Sequence, residues 1–235
     1  MDTQTRHALK GDKFAQAAAS GVNWFSGHRS GAMRASITAG VVLVLAVGGL
    51  IYWNIENSRA GSALGAALDI YTAQLSEPGT PPESGTYRTT ADRDKAANKA
   101  FVAAARQYGW LPEGAKARYF AGITDEDLDQ NASAESELKA AAGSWNRNLS
   151  NLAKLALAGL YHQTGRDPQA IALYNALAAK PSETVSAAVA DLDLGDLYSA
   201  EGKQQQARMT WAKVRDMDKD GAAGEIAAQK LSGKQ

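Results

Sequence analysis

Residues 157–177, LAGLYHQTGRDPQAIALYNAL, and residues 194–214, LGDLYSAEGKQQQARMTWAKV, align at an offset of 37. Leu157 matches Leu194, Tyr161 matches Tyr198, Gly165 matches Gly202, Ala170 matches Ala207 and Tyr174 matches Trp211. Ala158 and Gly195 are both small. The pattern has a physical meaning. Leu and Tyr four apart share one face of a first helix, and the small residue between them lets a neighbouring helix approach. Glycine four residues after Tyr permits the left-handed conformation that ends that helix. Asp167-Pro168 predicts a cap and a first-turn proline for the second helix. In that helix Ala170, Tyr174 and Leu177 line one face, as do Ala207, Trp211 and Val214. One such pair cannot bury its stripe alone; stacked pairs can, and they form a solenoid.

Weaker copies lie upstream. Gly122, Ala134, Leu138 and Ala141 form one about 36 residues earlier, and Ala97, Phe101 and Ala104 supply the second helix of another. Residues 60–75 are the candidate first helix of that pair. Between them runs SEPGTPPESGTYRTT, with three of the chain's six prolines. That composition predicts a flexible loop over 76–90. No run of alternating β-branched residues occurs, so the expected class is all-α.

The second informative stretch is 35–53, ASITAGVVLVLAVGGLIYW, 19 residues without a charge. A helix of that length is roughly 28 Å long, close to a bilayer's hydrocarbon thickness. Tyr52 and Trp53 close it with interfacial aromatics. A cleaved signal peptide would have a shorter apolar stretch and a small-x-small site after it. Here 34 residues precede the run, and Ser58-Arg59-Ala60 and Ala63-Leu64-Gly65 match such a site poorly. A buried core helix would need apolar surroundings, but both flanks are polar. The expected span is 35–55.

Orientation follows from the basic residues near the span. Arg6, Lys10, Lys13, Arg29 and Arg34 precede it, whereas 54–74 holds only Arg59. Residues 1–34 carry net +3 and the whole chain is neutral, leaving −3 on 54–235. The amino terminus is expected in the cytoplasm and the repeats across the membrane. Within 1–34, Phe14, Ala17, Ala18, Trp24 and Phe25 suit either a short amphipathic helix on the inner leaflet or a mobile tail. The chain has no cysteine, which suits an oxidising compartment without requiring one.

The repeat pattern resembles the tetratricopeptide repeat. Lys154 and Asp191 stand where that family has an early Trp. The resemblance implies a spanning helix followed by a solenoid of about four tetratricopeptide-like hairpins over 56–235. In solenoids of this type the first helices line the concave side. That places Lys116, Tyr119, Ile123, Glu126, Leu152, Leu155, Gly159, His162, Val189, Leu192, Asp196 and Ser199 in a partner-binding groove. The family's carboxylate clamp uses Lys and Asn, but the matching places hold Leu155, Gly159, Leu192 and Asp196. The groove is expected to be partly apolar and to take an extended or helical segment of another chain. The same side chains also suit a second role, packing the first helices together.

The whole layout is similar to the YfgM-like ancillary subunits of the bacterial Sec translocon. KFAQAAASGVNWF before the span, VVLVLAVGGLIYWN within it, and the pairs ending ALYNALAA and ARMTWAKV carry that likeness. It implies a single-pass protein of the bacterial inner membrane with a periplasmic repeat domain. Its partners would be translocon subunits, periplasmic chaperones and secreted or outer-membrane client chains. The proline-rich insertion and the extra length before the span depart from the family. A scaffold for cell-wall, division or pilus assembly fits the same layout.

No catalytic, cofactor or metal constellation is expected. His162 lacks an evident partner in the sequence, and Asp125-Glu126-Asp127-x-Asp129 lacks the glycine turn and final Glu of a calcium loop, so it reads as a solvated helix end. GxxxxGK[ST] and GxGxxG do not occur, and no basic stripe suggests nucleic acid.

Overall fold

The computed structural model describes residues 29–77 and 85–233. The predicted amphipathic helix before residue 29 and the middle of the insertion, 78–84, lie outside the described residues. Among those described, nine helices occur and no strand is formed. They are α1 Arg29–Tyr71, α2 Thr90–Tyr108, α3 Pro112–Asp127, α4 Asn131–Ala142, α5 Arg147–Gln163, α6 Asp167–Ala179, α7 Ala187–Ala200, α8 Gln204–Met217 and α9 Ala222–Ser232. The chain divides into two compact units, 1–55 and 56–235.

In the first unit, every residue whose burial is described is exposed. Val44 and Leu45 are 70% and 69% accessible. Helix α1 is long and apolar enough to cross a membrane, and its most apolar stretch has a mean hydropathy of 2.1 and no buried residue. A core helix of a soluble domain would have that face covered. Thr38 Oγ1 donates to the Arg34 carbonyl at 2.9 Å, so its hydroxyl is satisfied inside the helix, as a lipid environment requires.

The second unit is a stack of hairpins. Ala60, Leu64 and Ala67 at the end of α1 are buried, and Leu64 and Ala67 share a core with Ala97, Phe101, Ala104 and Ala105 of α2. Ala117 and Ala121 of α3 complete that core. The candidate first helix over 60–75 therefore exists and ends at Tyr71. The insertion that follows is pinched at its base. Ser76 N donates to the Tyr87 carbonyl at 2.8 Å, Tyr87 N donates to the Gln74 carbonyl at 3.2 Å, and the Ser76 and Thr86 hydroxyls are 2.8 Å apart.

The small and large residues of the repeat meet each other. A Cβ on Gly195 would stand 2.6 Å from Trp211 Cδ1, and one on Gly122 would stand 2.6 Å from Leu138 Cγ. Ala158 and Tyr174 are buried in one cluster. The small position is thus the hole into which the bulky residue of the same hairpin fits. Gly195→Val should cost about 1–3 kcal/mol through overpacking. A lowered urea midpoint with unchanged helical circular dichroism in buffer is the expected result; an unchanged midpoint contradicts the contact.

The turns inside the hairpins also share one form. Gly165 and Gly202 are left-handed, with φ of 72° and 76°. Arg166 N donates to the Tyr161 carbonyl at 2.7 Å and Lys203 N to the Tyr198 carbonyl at 2.8 Å, closing the helix ends. The second hairpin does the same with Asp129, φ 58°, and a 2.8 Å bond from Gln130 N to the Asp125 carbonyl.

Three local expectations are corrected. Asp167 does not cap α6, whose N-cap is Arg166; its carboxylate lies 2.6 Å from His162 Nδ1. His162 therefore does have an acidic partner. Asp125 is not solvated: it is 2% exposed, and its carboxylate accepts hydrogen bonds from Asn98 Nδ2 and Ser133 Oγ, both at 2.7 Å. It occupies the place that Tyr161 and Tyr198 hold in the later hairpins.

Helix α9 is an addition to the predicted four pairs. Ala223 and Ala227 join Leu192, Trp211 and Val214 in the last core cluster. Lys230 Nζ sits 5.6 Å from the Trp211 ring centroid and 3.0 Å from Asp196 Oδ1. A stack needs such a terminal helix, apolar inside and polar outside, to cover its final pair.

Candidate partner-binding face

The first helices α3, α5 and α7 hold the predicted groove residues. Tyr119, Ile123 and Leu155 are half-buried and pack on the same central core. Leu152 and Leu155 also lean on Leu177, Val185 and Ala190. A Cβ on Gly159 would meet nothing within 4 Å, which leaves open space at the middle of α5. His162 is half-buried beside Asp167, and Val189 and Ser199 are half-buried on α7. Lys116 pairs with Glu113 on its own helix at 2.8 Å.

One polar bond ties two neighbouring first helices together. Gln163 Nε2 of α5 donates to Glu126 Oε1 of α3 at 2.7 Å. Burial raises the Glu126 pKa, and that amide opposes the rise. Burial, then the Glu126 charge, raises the pKa of Tyr119. Asp196 accepts from Trp211 Nε1 at 2.9 Å and pairs with Lys230. With Ser199, Trp211, Ile226 and Lys230 it lines an open cleft of about 740 Å³ between α7 and α9.

Leu192 is 9% exposed within the cluster that α9 closes, where it has the packing role that the sequence also allowed.

Sequence reasoning also missed Asp193. Burial chiefly, then the charge of Asp196, pushes its carboxyl up from 3.8 to about 6, while Lys230 opposes the shift. The same carboxylates, after burial, raise the pKa of Tyr174. A carboxyl whose folded pKa is raised costs stability above that pKa, and the cost is relieved as pH falls towards the unfolded value. Asp193→Asn should therefore raise Tm at pH 7, and its advantage should shrink between pH 6 and pH 4. Paired melts across that window test this; a difference that stays constant with pH contradicts it.

The first helices thus carry half-buried apolar side chains, hydrogen-bonded carboxylates and an open position at Gly159. Among the described residues no three His, Cys, Asp or Glu gather at metal-ligand distance. A family profile described as a tetratricopeptide repeat-like domain matches residues 32–233. The chain belongs to that family. The matched span includes the apolar part of α1 as well as every hairpin. Tetratricopeptide-like repeats are typically non-catalytic modules that bind other proteins. No curated protein and no solved structure matches the chain.

Proposed function

We propose that this tetratricopeptide-like protein is a membrane-tethered, non-catalytic factor of the Sec translocon. It sits in a bacterial inner membrane with its amino terminus in the cytoplasm and its repeats in the periplasm. There the face of α3, α5 and α7 receives secreted or outer-membrane chains and passes them to periplasmic chaperones. The carrying observation is the pairing of two features in one chain. One is an uncovered apolar helix; the other is a set of first helices that carry half-buried Tyr119, Ile123 and Leu155 and have open space at Gly159. The basic residues before the span support the orientation. Tethering keeps the binding face at high effective concentration where chains emerge, so modest affinity suffices. A partly apolar surface whose charged groups are already paired suits varied clients better than one defined peptide terminus.

Photocrosslinkers at Gly159, His162 and Ser199 in intact cells test this reading. Translocon subunits, chaperones or secreted chains are the expected partners. Exclusive recovery of cell-wall, division or pilus proteins would contradict it and point to an envelope scaffold. Recovery of no protein would contradict both.

A further inference from the structure

In a stack of antiparallel hairpins, the turns joining one hairpin to the next fall on one edge. The turns inside hairpins fall on the other. Here the joining edge is unusual. Trp145, in the α4–α5 turn, is 84% exposed, and Trp110, in the α2–α3 turn, is 58% exposed. Met217, at the end of α8, is 46% exposed. The opposite turns, 128–130, 164–166 and 201–203, hold no exposed large apolar side chain. The remaining opposite turn, inside the first hairpin, exposes Leu75 at 44% on the stem of the insertion, but no described tryptophan.

Contacts hold parts of the joining edge together. Ala60 is buried against Tyr108 and Leu111, which flank Trp110. Trp145 shares a shallow cleft with Arg147, Pro181 and Glu183 of the neighbouring turns. Thr184 Oγ1 donates to the Asn148 carbonyl at 2.8 Å, and Asn148 Nδ2 donates to Glu183 at 3.0 Å. These bonds fix the α4–α5 and α6–α7 turns side by side.

The edge is also where the tether enters the repeat domain. Ala60, the first buried residue of that domain, follows Trp53 by only seven residues in the chain. Trp53 closes the apolar run, at the level where amphipathic aromatics concentrate in membranes. Indole combines a large apolar ring with one N–H donor, which suits the headgroup layer better than bulk water or hydrocarbon. The ionic side chains along the edge are of both signs: Arg106 and Glu113, Arg147, Lys180 and Glu183, and Arg215, Asp216, Asp218, Lys219 and Asp220 around Met217. Aromatic insertion, and not attraction to anionic lipid, is therefore the available force.

We propose that Trp110 and Trp145 rest in the headgroup layer of the bilayer that α1 crosses, making the joining turns the lipid-facing edge of the repeat domain. This rests on the reading of α1 as a span.

The test uses the full chain in phosphatidylcholine–phosphatidylglycerol vesicles with and without brominated acyl chains. Chains keeping a single tryptophan, at Trp53, Trp110 or Trp145, are compared with a tryptophan-free chain carrying Gln205→Trp on the opposite edge. Brominated lipid should quench Trp53, Trp110 and Trp145, and leave the Gln205→Trp probe unquenched. Quenching of Trp53 alone overturns the edge contact while α1 still spans. Equal quenching of the Gln205→Trp probe overturns the edge assignment. An unquenched Trp53 overturns the span, and the proposal with it. Replacement of the buried Trp211 can unfold the last hairpin, so a second measurement leaves it in place. The chain has no cysteine, so Trp145→Cys carries a lone nitroxide label. A higher ratio of oxygen-driven to nickel-driven relaxation than for a Gln205→Cys label on the opposite edge is expected; an equal or lower ratio overturns the proposal.

Discussion

Phe101→Ala is expected to cost about 3–5 kcal/mol, with the loss confined to the first hairpin and its neighbour. Phe101 has no exposed surface. Its ring stacks on Phe120 at 5.2 Å and meets the edge of Tyr71 at 6.1 Å, so one side chain joins α1, α2 and α3. The surrounding core is largely alanine, Ala67, Ala97, Ala104, Ala105, Ala117 and Ala121, which cannot reach in to fill the vacated space. Solenoid contacts act between neighbours, so the far hairpins keep their own cores. Hydrogen exchange resolves this: amides of 60–71 and 90–108 should lose protection while those of 187–217 keep it. Phe101→Leu, which retains most of the volume, should recover much of the loss. Uniform loss of protection along the chain would show that the hairpins do not fold as separable neighbours.

Placing arginine at Val44 and Leu45 together is the second large effect. Both side chains are about 70% exposed, so the repeat core has no contact to lose. On insertion scales each arginine at a helix centre costs about 2.5–3.5 kcal/mol, so the pair opposes insertion by roughly 5–7 kcal/mol. Membranes from cells making the variant should float without it on a density gradient, although the repeat domain stays folded. A buried core helix would respond oppositely, with membrane association unaffected and folding lost.

Much of this fold was legible because a tetratricopeptide-like hairpin depends on a few spaced contacts. Leu157, Tyr161, Gly165 and Tyr174, with their counterparts 37 residues on, identify helix faces and turn together. Legibility failed where a different residue does the same physical work. Asp129 takes a backbone conformation that aspartate tolerates, and Asp125 replaces a packed tyrosine with a buried hydrogen-bonded carboxylate. Neither substitution carries the repeat's hydrophobic signal. Helix α9 was missed because only its inner face is specified, by Ala223 and Ala227. The face on α3, α5 and α7 follows from repeat phase alone. Phase cannot tell Gly159, which faces open space, from Leu192, which lies in the core that α9 closes. The pairing of His162 with Asp167 depends on a turn geometry that the residue types do not reveal.

Alkaline carbonate extraction of membranes, followed by immunoblotting for chain length, tests the membrane-tethered account most directly. Full-length chain should remain in the lipid pellet after extraction. Full-length chain in the supernatant, or a shortened soluble product cut after the apolar run, would contradict it.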